Sequence, residues 1–92
     1  MIVSFRHKGL ETFYHTGSTR GIQAAHAQKL GTILAILDAA ADPRDLNQPG
    51  LRLHQLKGKL KDHWSVWVNG NWRVTFRFVG ANVELVDYLD YH

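Results

Sequence analysis

Five polar side chains in the second half of the sequence have the types needed to cleave an RNA strand without a metal ion. They are His54, Lys57, Arg73, Asp90 and His92. Cleavage through the 2′-hydroxyl needs a base for that hydroxyl, an acid for the leaving 5′-oxygen and cations for the extra charge on phosphorus. The two histidines are candidates for proton transfer, and Asp90 is a candidate base or the group that orients a histidine. Arg73 and Lys57 are suited to hold a phosphate.

A basic stretch and one tryptophan each leave two interpretations open. Lys57, Lys59, Lys61 and Arg52 form the densest cationic part of the chain, which either follows RNA phosphates or is an ordinary solvent-exposed loop. Trp67 either stacks on a base or simply covers the sheet.

The remaining arginine and histidine candidates are predicted to be structural or surface residues. Arg77 faces Glu84 in the predicted strand pairing, which makes a cross-strand charge pair its expected role. Four further histidines have no obvious partner in the sequence: His7, His15, His26 and His63.

Composition excludes several kinds of site. The chain has no cysteine, so disulfides, thiolate metal sites and a cysteine nucleophile are all excluded. It also lacks a glycine-rich phosphate loop and an HExxH motif, and we therefore predict neither a metal nor another cofactor. A formal net charge of +3 and six histidines favour an anionic partner.

The first half of the chain has the apolar spacing of helices. Leu10, Phe13 and Tyr14 predict a short helix that ends near Gly17, after an opening strand formed by residues 2–5. A longer helix is predicted from about Ile22 to Ala41, because apolar residues recur there at helical spacing and no proline interrupts them. Pro43 and the polar residues up to Gly50 end that helix in a loop.

The second half alternates with a period of two, which predicts an antiparallel meander. A three-residue turn at residues 69–71 pairs Val66 with Val74, and a two-residue turn at Gly80-Ala81 pairs Phe76 with Leu85. The earlier strand turns Leu51 and Leu53 inward and Arg52 and His54 outward. If no bulge interrupts the strands, the face opposite the apolar one carries six polar residues: Arg73, Arg77, Glu84, Tyr88, Asp90 and His92.

These elements predict an α+β fold in which two N-terminal helices pack on one face of a mainly antiparallel sheet. Ninety-two residues with 45% apolar composition are enough for one domain, residues 1–92. No apolar run approaches the roughly 20 residues that span a bilayer, so we expect no membrane segment and a cytoplasmic location.

Four motifs in this order give the chain a family resemblance. They are FRHKGL at residues 5–10, LHQLKG at residues 53–58, NWRVTF at residues 71–76 and DYH at residues 90–92. Over essentially its whole length the chain resembles HigB toxins, a group within the RelE-like toxins. The resemblance implies a fold like that of microbial ribonucleases and a metal-independent endoribonuclease that cuts mRNA in the ribosomal A site, near 16S rRNA. It also implies a HigA-type antitoxin with a helix-turn-helix, through which alone the toxin would contact operator DNA.

The resemblance also implies roles for individual residues. His54, Asp90, Tyr91 and His92 would form the reactive cluster, with Lys57 and Arg73 near phosphate and Asn71 near the third base of the codon. Strict alternation turns Tyr91 away from its two neighbours, so either the end of the strand is irregular or Tyr91 contributes by packing. Two further interpretations remain beside the ribosome-dependent enzyme: a noncatalytic RNA-binding or co-repressor module, and a free-standing ribonuclease.

Overall fold

A computed structural model describes residues 1–90, and Tyr91 and His92 lie outside the described residues. Two helices precede a four-stranded antiparallel sheet whose strands lie in the order β1-β2-β3-β4. The predicted α+β class is confirmed. The elements are α1 (Lys8–Thr16), α2 (Ala27–Ala39), β1 (His54–Gln55), β2 (His63–Asn69), β3 (Trp72–Val79) and β4 (Asn82–Asp90).

Both predicted helices are present, and the second is shorter than expected. His7 caps α1 by accepting a hydrogen bond from the Leu10 backbone N–H on Nδ1 (3.0 Å), and Gly17 ends the helix at φ 79°. A 3-10 turn at Ala24–His26 precedes α2. The His26 side chain is held in a 2.6 Å hydrogen bond with the Tyr88 hydroxyl, which fixes this turn to β4.

The predicted pairing of Val66 with Val74 is confirmed, but the predicted three-residue turn is wrong. Asn69 pairs with Trp72, which leaves a two-residue turn at Gly70-Asn71. The register shifts between Trp67 and Asn69, so the extra residue lies in a bulge of β2 and not in the turn.

A second bulge changes the faces of β4. Arg77 pairs with Glu84 as predicted, but the register then shifts, and Leu85 has φ 55° instead of pairing with Phe76. Beyond the bulge Tyr88 aligns with Val74 and Asp90 with Trp72. The prediction that Tyr88 and Asp90 share the face of Arg73 is therefore wrong, because one extra residue reverses the alternation. His92, predicted for the same face, lies outside the described residues.

Two predicted strands are reduced to short pairings. The opening segment forms two isolated parallel bridges to β4, Ile2 with Val83 and Phe5 with Val86. β1 begins only at His54, because Arg52 adopts a left-handed backbone conformation with φ 49°. Leu51 is buried and Arg52 and His54 are exposed, as predicted, while the half-buried Leu53 packs against the core.

The core lies between α2 and one face of the sheet. Four apolar residues of α2 are buried in it: Leu30, Ile33, Leu34 and Leu37. They belong to one cluster with Val66, Val74, Phe76, Val83 and Val86 of the sheet. This packing leaves the opposite face, which carries Ser65 and Arg73, for the candidate site. Within residues 1–90 we find no helix of the length and apolarity needed to cross a bilayer.

Candidate active site

A cleft of about 520 Å³ lies on the face of the sheet that points away from the helices. Three of the predicted site residues, His54, Lys57 and Arg73, line it together. The other residues that line it are Arg52, Leu56 and Ser65.

Cross-strand register explains why these side chains meet. His54 on β1 pairs with Ser65 on β2, and two residues further along β2 Trp67 pairs with Arg73 on β3. Residues directly opposite each other project to the same face, so His54, Ser65 and Arg73 share one surface across three strands. Lys57 follows β1 and precedes the 3-10 turn Gly58–Leu60, which places its exposed side chain at the edge of the same cleft.

The Arg73 side chain is fixed to the β2–β3 turn. Its Nη1 donates to the backbone oxygens of Gly70 and Trp72, both at 3.1 Å. Both bonds use one terminal nitrogen, and Arg73 makes no ion pair with any described residue. The guanidinium is thus oriented while Nε and Nη2 keep donors that can bind a phosphate oxygen.

The cleft is electropositive. Three of its six lining residues are Arg or Lys, and no carboxylate lines it among the residues that the structure describes. Such a surface favours an anion, and the fixed Arg73 guanidinium suits the charge that develops on phosphorus during strand cleavage.

The other predicted site residues are placed differently. Asn71 lies in the β2–β3 turn, next to the Gly70 carbonyl that holds Arg73. Asp90 ends β4 opposite Trp72, so it does not line the cleft and does not share the face of Arg73. Tyr91 and His92 lie outside the described residues. In residues 1–90 no three His, Asp or Glu side chains are grouped as metal ligands.

Sequence reasoning missed two residues of the cleft, Ser65 and Leu56, and did not assign a third, Arg52, to the site. Ser65 is buried beside His54, and alternation along β2 places it on the polar face, so its pairing with β1 was the missing signal. Leu56 gives the cleft an apolar wall that no chemical pattern marks. The sequence places Arg52 on the outward face and in a basic stretch that either follows RNA phosphates or is an ordinary solvent-exposed loop.

The residues predicted to be structural have partners or positions that agree with that role. Arg77 pairs with Glu84, its Nε donating to Oε1 at 2.8 Å. His7 caps α1, His26 binds the Tyr88 hydroxyl, and the exposed His15 packs edge-on to Tyr14.

His63 is the one buried histidine whose two ring nitrogens both lack a hydrogen-bond partner among the described residues. Burial, with Arg6 and Arg77 nearby, lowers the pKa of this imidazole. The buried position of His63 therefore disfavours the charged imidazolium, which agrees with a structural role.

Two helices packed with a four-stranded antiparallel sheet make an α+β fold that is consistent with a RelE-like toxin. Comparison with known proteins agrees, because residues 3–92 match the family model described as RelE-like toxin of type II toxin-antitoxin system HigB. The chain belongs to this HigB-like toxin family.

Two curated relatives match the chain over its full length. One is Endoribonuclease HigB from Proteus vulgaris, 38% identical over 92 residues that cover 100% of both chains. The other is Toxin HigB-1 from Vibrio cholerae, 39% identical over 94 residues that cover 100% of this chain and 98% of the relative.

Proposed function

We propose that this chain is a ribosome-dependent endoribonuclease toxin that cleaves mRNA in the ribosomal A site and so inhibits translation. The observation that carries the proposal is the convergence of His54, Lys57 and Arg73 in one electropositive cleft. Family membership and the relative named Endoribonuclease HigB support the reaction class.

In the proposed mechanism the RNA 2′-hydroxyl attacks the adjacent phosphorus and the 5′-oxygen leaves. Arg73 and Lys57 stabilise the charge that accumulates on the phosphate oxygens. His54 transfers one proton, and the segment Asp90, Tyr91 and His92 contributes the second proton-transfer group. The products are a 5′-hydroxyl fragment and a 2′,3′-cyclic or 3′-phosphate.

The ribosome is the proposed source of substrate orientation. The cleft holds one histidine and no carboxylate among its described lining, so its intrinsic general base is weak. Binding of the mRNA in the A site, near 16S rRNA, would hold the reacting groups in place and replace much of the missing catalytic power. Asn71, exposed in the β2–β3 turn, is proposed to lie near the third base of the codon.

The proposed protein partner is a HigA-type antitoxin with a helix-turn-helix. The family is one of type II toxin–antitoxin systems, in which a toxin has a protein antagonist. In this proposal operator DNA is bound only through the antitoxin complex, and a ribosomal target implies a cytoplasmic site of action.

A translation reaction reconstituted in vitro, with mapping of transcript 5′ ends, tests the function. We expect cuts within codons only on translating ribosomes, with 5′-hydroxyl ends. Cleavage of naked RNA would identify a free-standing ribonuclease, and no cleavage would identify a noncatalytic RNA-binding or co-repressor module. Ends that carry a 5′-phosphate would contradict attack by the 2′-hydroxyl.

A further inference from the structure

Trp67 lies at the centre of a group of cations beside the cleft. The Lys29 Nζ and the Arg52 Cζ are each 4.2 Å from the centroid of its ring, within the range of a cation–π interaction. Its indole Nε1–H donates to the Gly70 carbonyl at 2.9 Å, the same oxygen that accepts from Arg73. One ring thus connects both arginines of the cleft and a lysine from α2.

The backbone just before Arg52 is hydrogen-bonded to Trp67 and to Lys29. The Trp67 N–H donates to the Leu51 carbonyl at 2.7 Å, and Lys29 Nζ donates to the Gly50 carbonyl at 3.0 Å. Arg52 itself has a positive φ of 49°, a conformation that costs free energy in a residue with a side chain. The chain therefore maintains a strained backbone at the position that brings this guanidinium over the ring and into the lining of the cleft.

The two cations both lie against the Trp67 ring. Among residues 1–90 neither Lys29 nor Arg52 forms an ion pair. Burial first, and then the positive charge of Arg52, lowers the pKa of Lys29, so the two charges repel each other. An anion bound beside the ring would offset that repulsion and accept hydrogen bonds from these cations.

The contacts also argue against Trp67 as a free platform for a nucleobase. Both cations already lie over the half-buried ring, so a base stacked there would displace at least one of them. The ring serves instead to orient cations whose donors remain available.

We propose that Lys29 and Arg52, positioned by Trp67, form a second phosphate-binding subsite for the RNA strand, next to the phosphate held by Arg73. This inference rests on the proposed function, because it takes RNA as the substrate. The subsite binds a non-bridging oxygen of a phosphodiester outside the scissile bond. Its contribution is to affinity and register of the strand, and Trp67 is a positioning residue that touches neither phosphate.

Binding of an RNA hexanucleotide with 2′-O-methyl riboses tests the subsite without requiring cleavage. The chain has three tryptophans, and the Trp67 indole N–H resonance is identified by its loss in Trp67→Phe. We expect this resonance to shift as RNA is added. Lys29→Gln and Arg52→Gln should each weaken binding by about threefold to tenfold. The matched control Arg44→Gln, which alters an exposed arginine paired with Asp42, should have a smaller effect.

Neutralising each RNA phosphate in turn as a methylphosphonate locates the contact. At one position other than the scissile phosphate, neutralisation should weaken wild-type binding by about threefold to tenfold but leave the Lys29→Gln/Arg52→Gln double variant unaffected. Trp67→Phe should keep part of the wild-type affinity, and Trp67→Leu should lose as much as the Lys29→Gln/Arg52→Gln double variant.

Three results would overturn the subsite: no shift of the Trp67 resonance at millimolar RNA, equal weakening by Arg44→Gln, or purely additive effects of Arg52→Gln and every methylphosphonate. Failure of the proposed function gives a different result. The protein would then still bind this RNA, with the methylphosphonate effect dependent on the subsite residues, but would cleave no transcript on ribosomes.

Discussion

At the scale of single residues, the cleft contains two kinds of group: those that transfer protons and those that bind the negatively charged phosphate. His54 belongs to the first kind, whereas Arg73 is fixed by two backbone carbonyls and belongs to the second. A cation already oriented before the reaction needs little reorganisation when charge develops on phosphorus. Replacing it should therefore affect the rate of cleavage more than the fold.

We predict that Arg73→Ala lowers single-turnover cleavage on ribosomes by about two to three orders of magnitude. Arg73→Lys should restore only part of the rate, because an ammonium group cannot bind a phosphate with the same planar pair of donors. Thermal unfolding of both variants should remain close to that of the wild type. A wild-type rate in the alanine variant would remove Arg73 from the mechanism.

The lowered pKa of the buried His63 leads us to predict that the stability of the fold depends on pH. Burial first, then Arg6 and Arg77, lowers the pKa of His63, while Asp62 and Glu84 act in the opposite direction. The unfolded chain binds a proton at this imidazole below pH about 6.5, before the folded chain does. The contribution of neutral His63 to stability is thus complete above that pH and is lost as the pH falls through the folded-state pKa.

The measurement is the free energy of unfolding by urea between pH 7.5 and 5 in the wild type and in His63→Phe. The wild type should lose up to about 1.4 kcal/mol more per pH unit than the variant, which is the limit for one proton. If the free energy of unfolding changes with pH equally in the two proteins, protonation of His63 does not contribute to the pH dependence of stability.

At the scale of elements, α1 is held against the chain that leads into α2 by a contact between two glycines. A Cβ on Gly9 would lie 2.8 Å from the backbone Cα of Gly21, closer than real Cβ contacts. The atom it meets is backbone, so no side-chain rotation can relieve the clash. Gly31 in α2 has room, since its Cβ would meet only the Phe13 ring at 3.9 Å.

Gly9→Ala and Gly31→Ala form a matched pair of substitutions in helices. We predict that Gly9→Ala lowers the free energy of unfolding by about 1–3 kcal/mol. Gly31→Ala should be neutral or raise it by up to about 1 kcal/mol, because alanine is the better helix former. The free energy of unfolding of both variants is measured with denaturant. Equal destabilisation would mean that the close approach of Gly9 to Gly21 is not the reason why alanine is unfavourable at position 9.

At the scale of the whole molecule, the proposed chemistry uses only side chains and the ribosome. Arg73 and Lys57 supply the positive charge that a metal ion would otherwise provide, and histidine supplies proton transfer. We therefore predict that a chelator of zinc and other transition metals leaves cleavage unchanged when magnesium is kept at the level that intact ribosomes need. A loss of activity that added zinc restores would require a different mechanism.

Local patterns were enough to predict the elements and part of the site. Helical spacing located α1 and α2, and the alternation of apolar residues paired Val66 with Val74 and Arg77 with Glu84. The outward direction of His54 was also predicted, although the left-handed Arg52 interrupts the regular strand that the prediction assumed. The roles of Asp90, Tyr91 and His92 remain predictions.

The bulge in β4 was decided by tertiary structure. There the Leu85 N–H donates to the Ser4 hydroxyl at 2.9 Å and the Val86 N–H donates to the Ser4 carbonyl at 3.2 Å. Ser4 lies about 80 residues earlier, so no window of sequence around Leu85 contains this information. Because one extra residue reverses every later side chain, that distant contact sends Tyr88 into the core and aligns Asp90 with Trp72.

The sequence by itself thus determined the fold class, the family and the chemistry that the polar residues can perform. Only the tertiary structure decided which of them meet, since Arg52, Ser65 and Trp67 acquire their places from pairings between β1, β2 and β3. The physical reason is that residue type and parity are local properties. Register shifts and cation–π contacts depend on chain segments far apart in sequence.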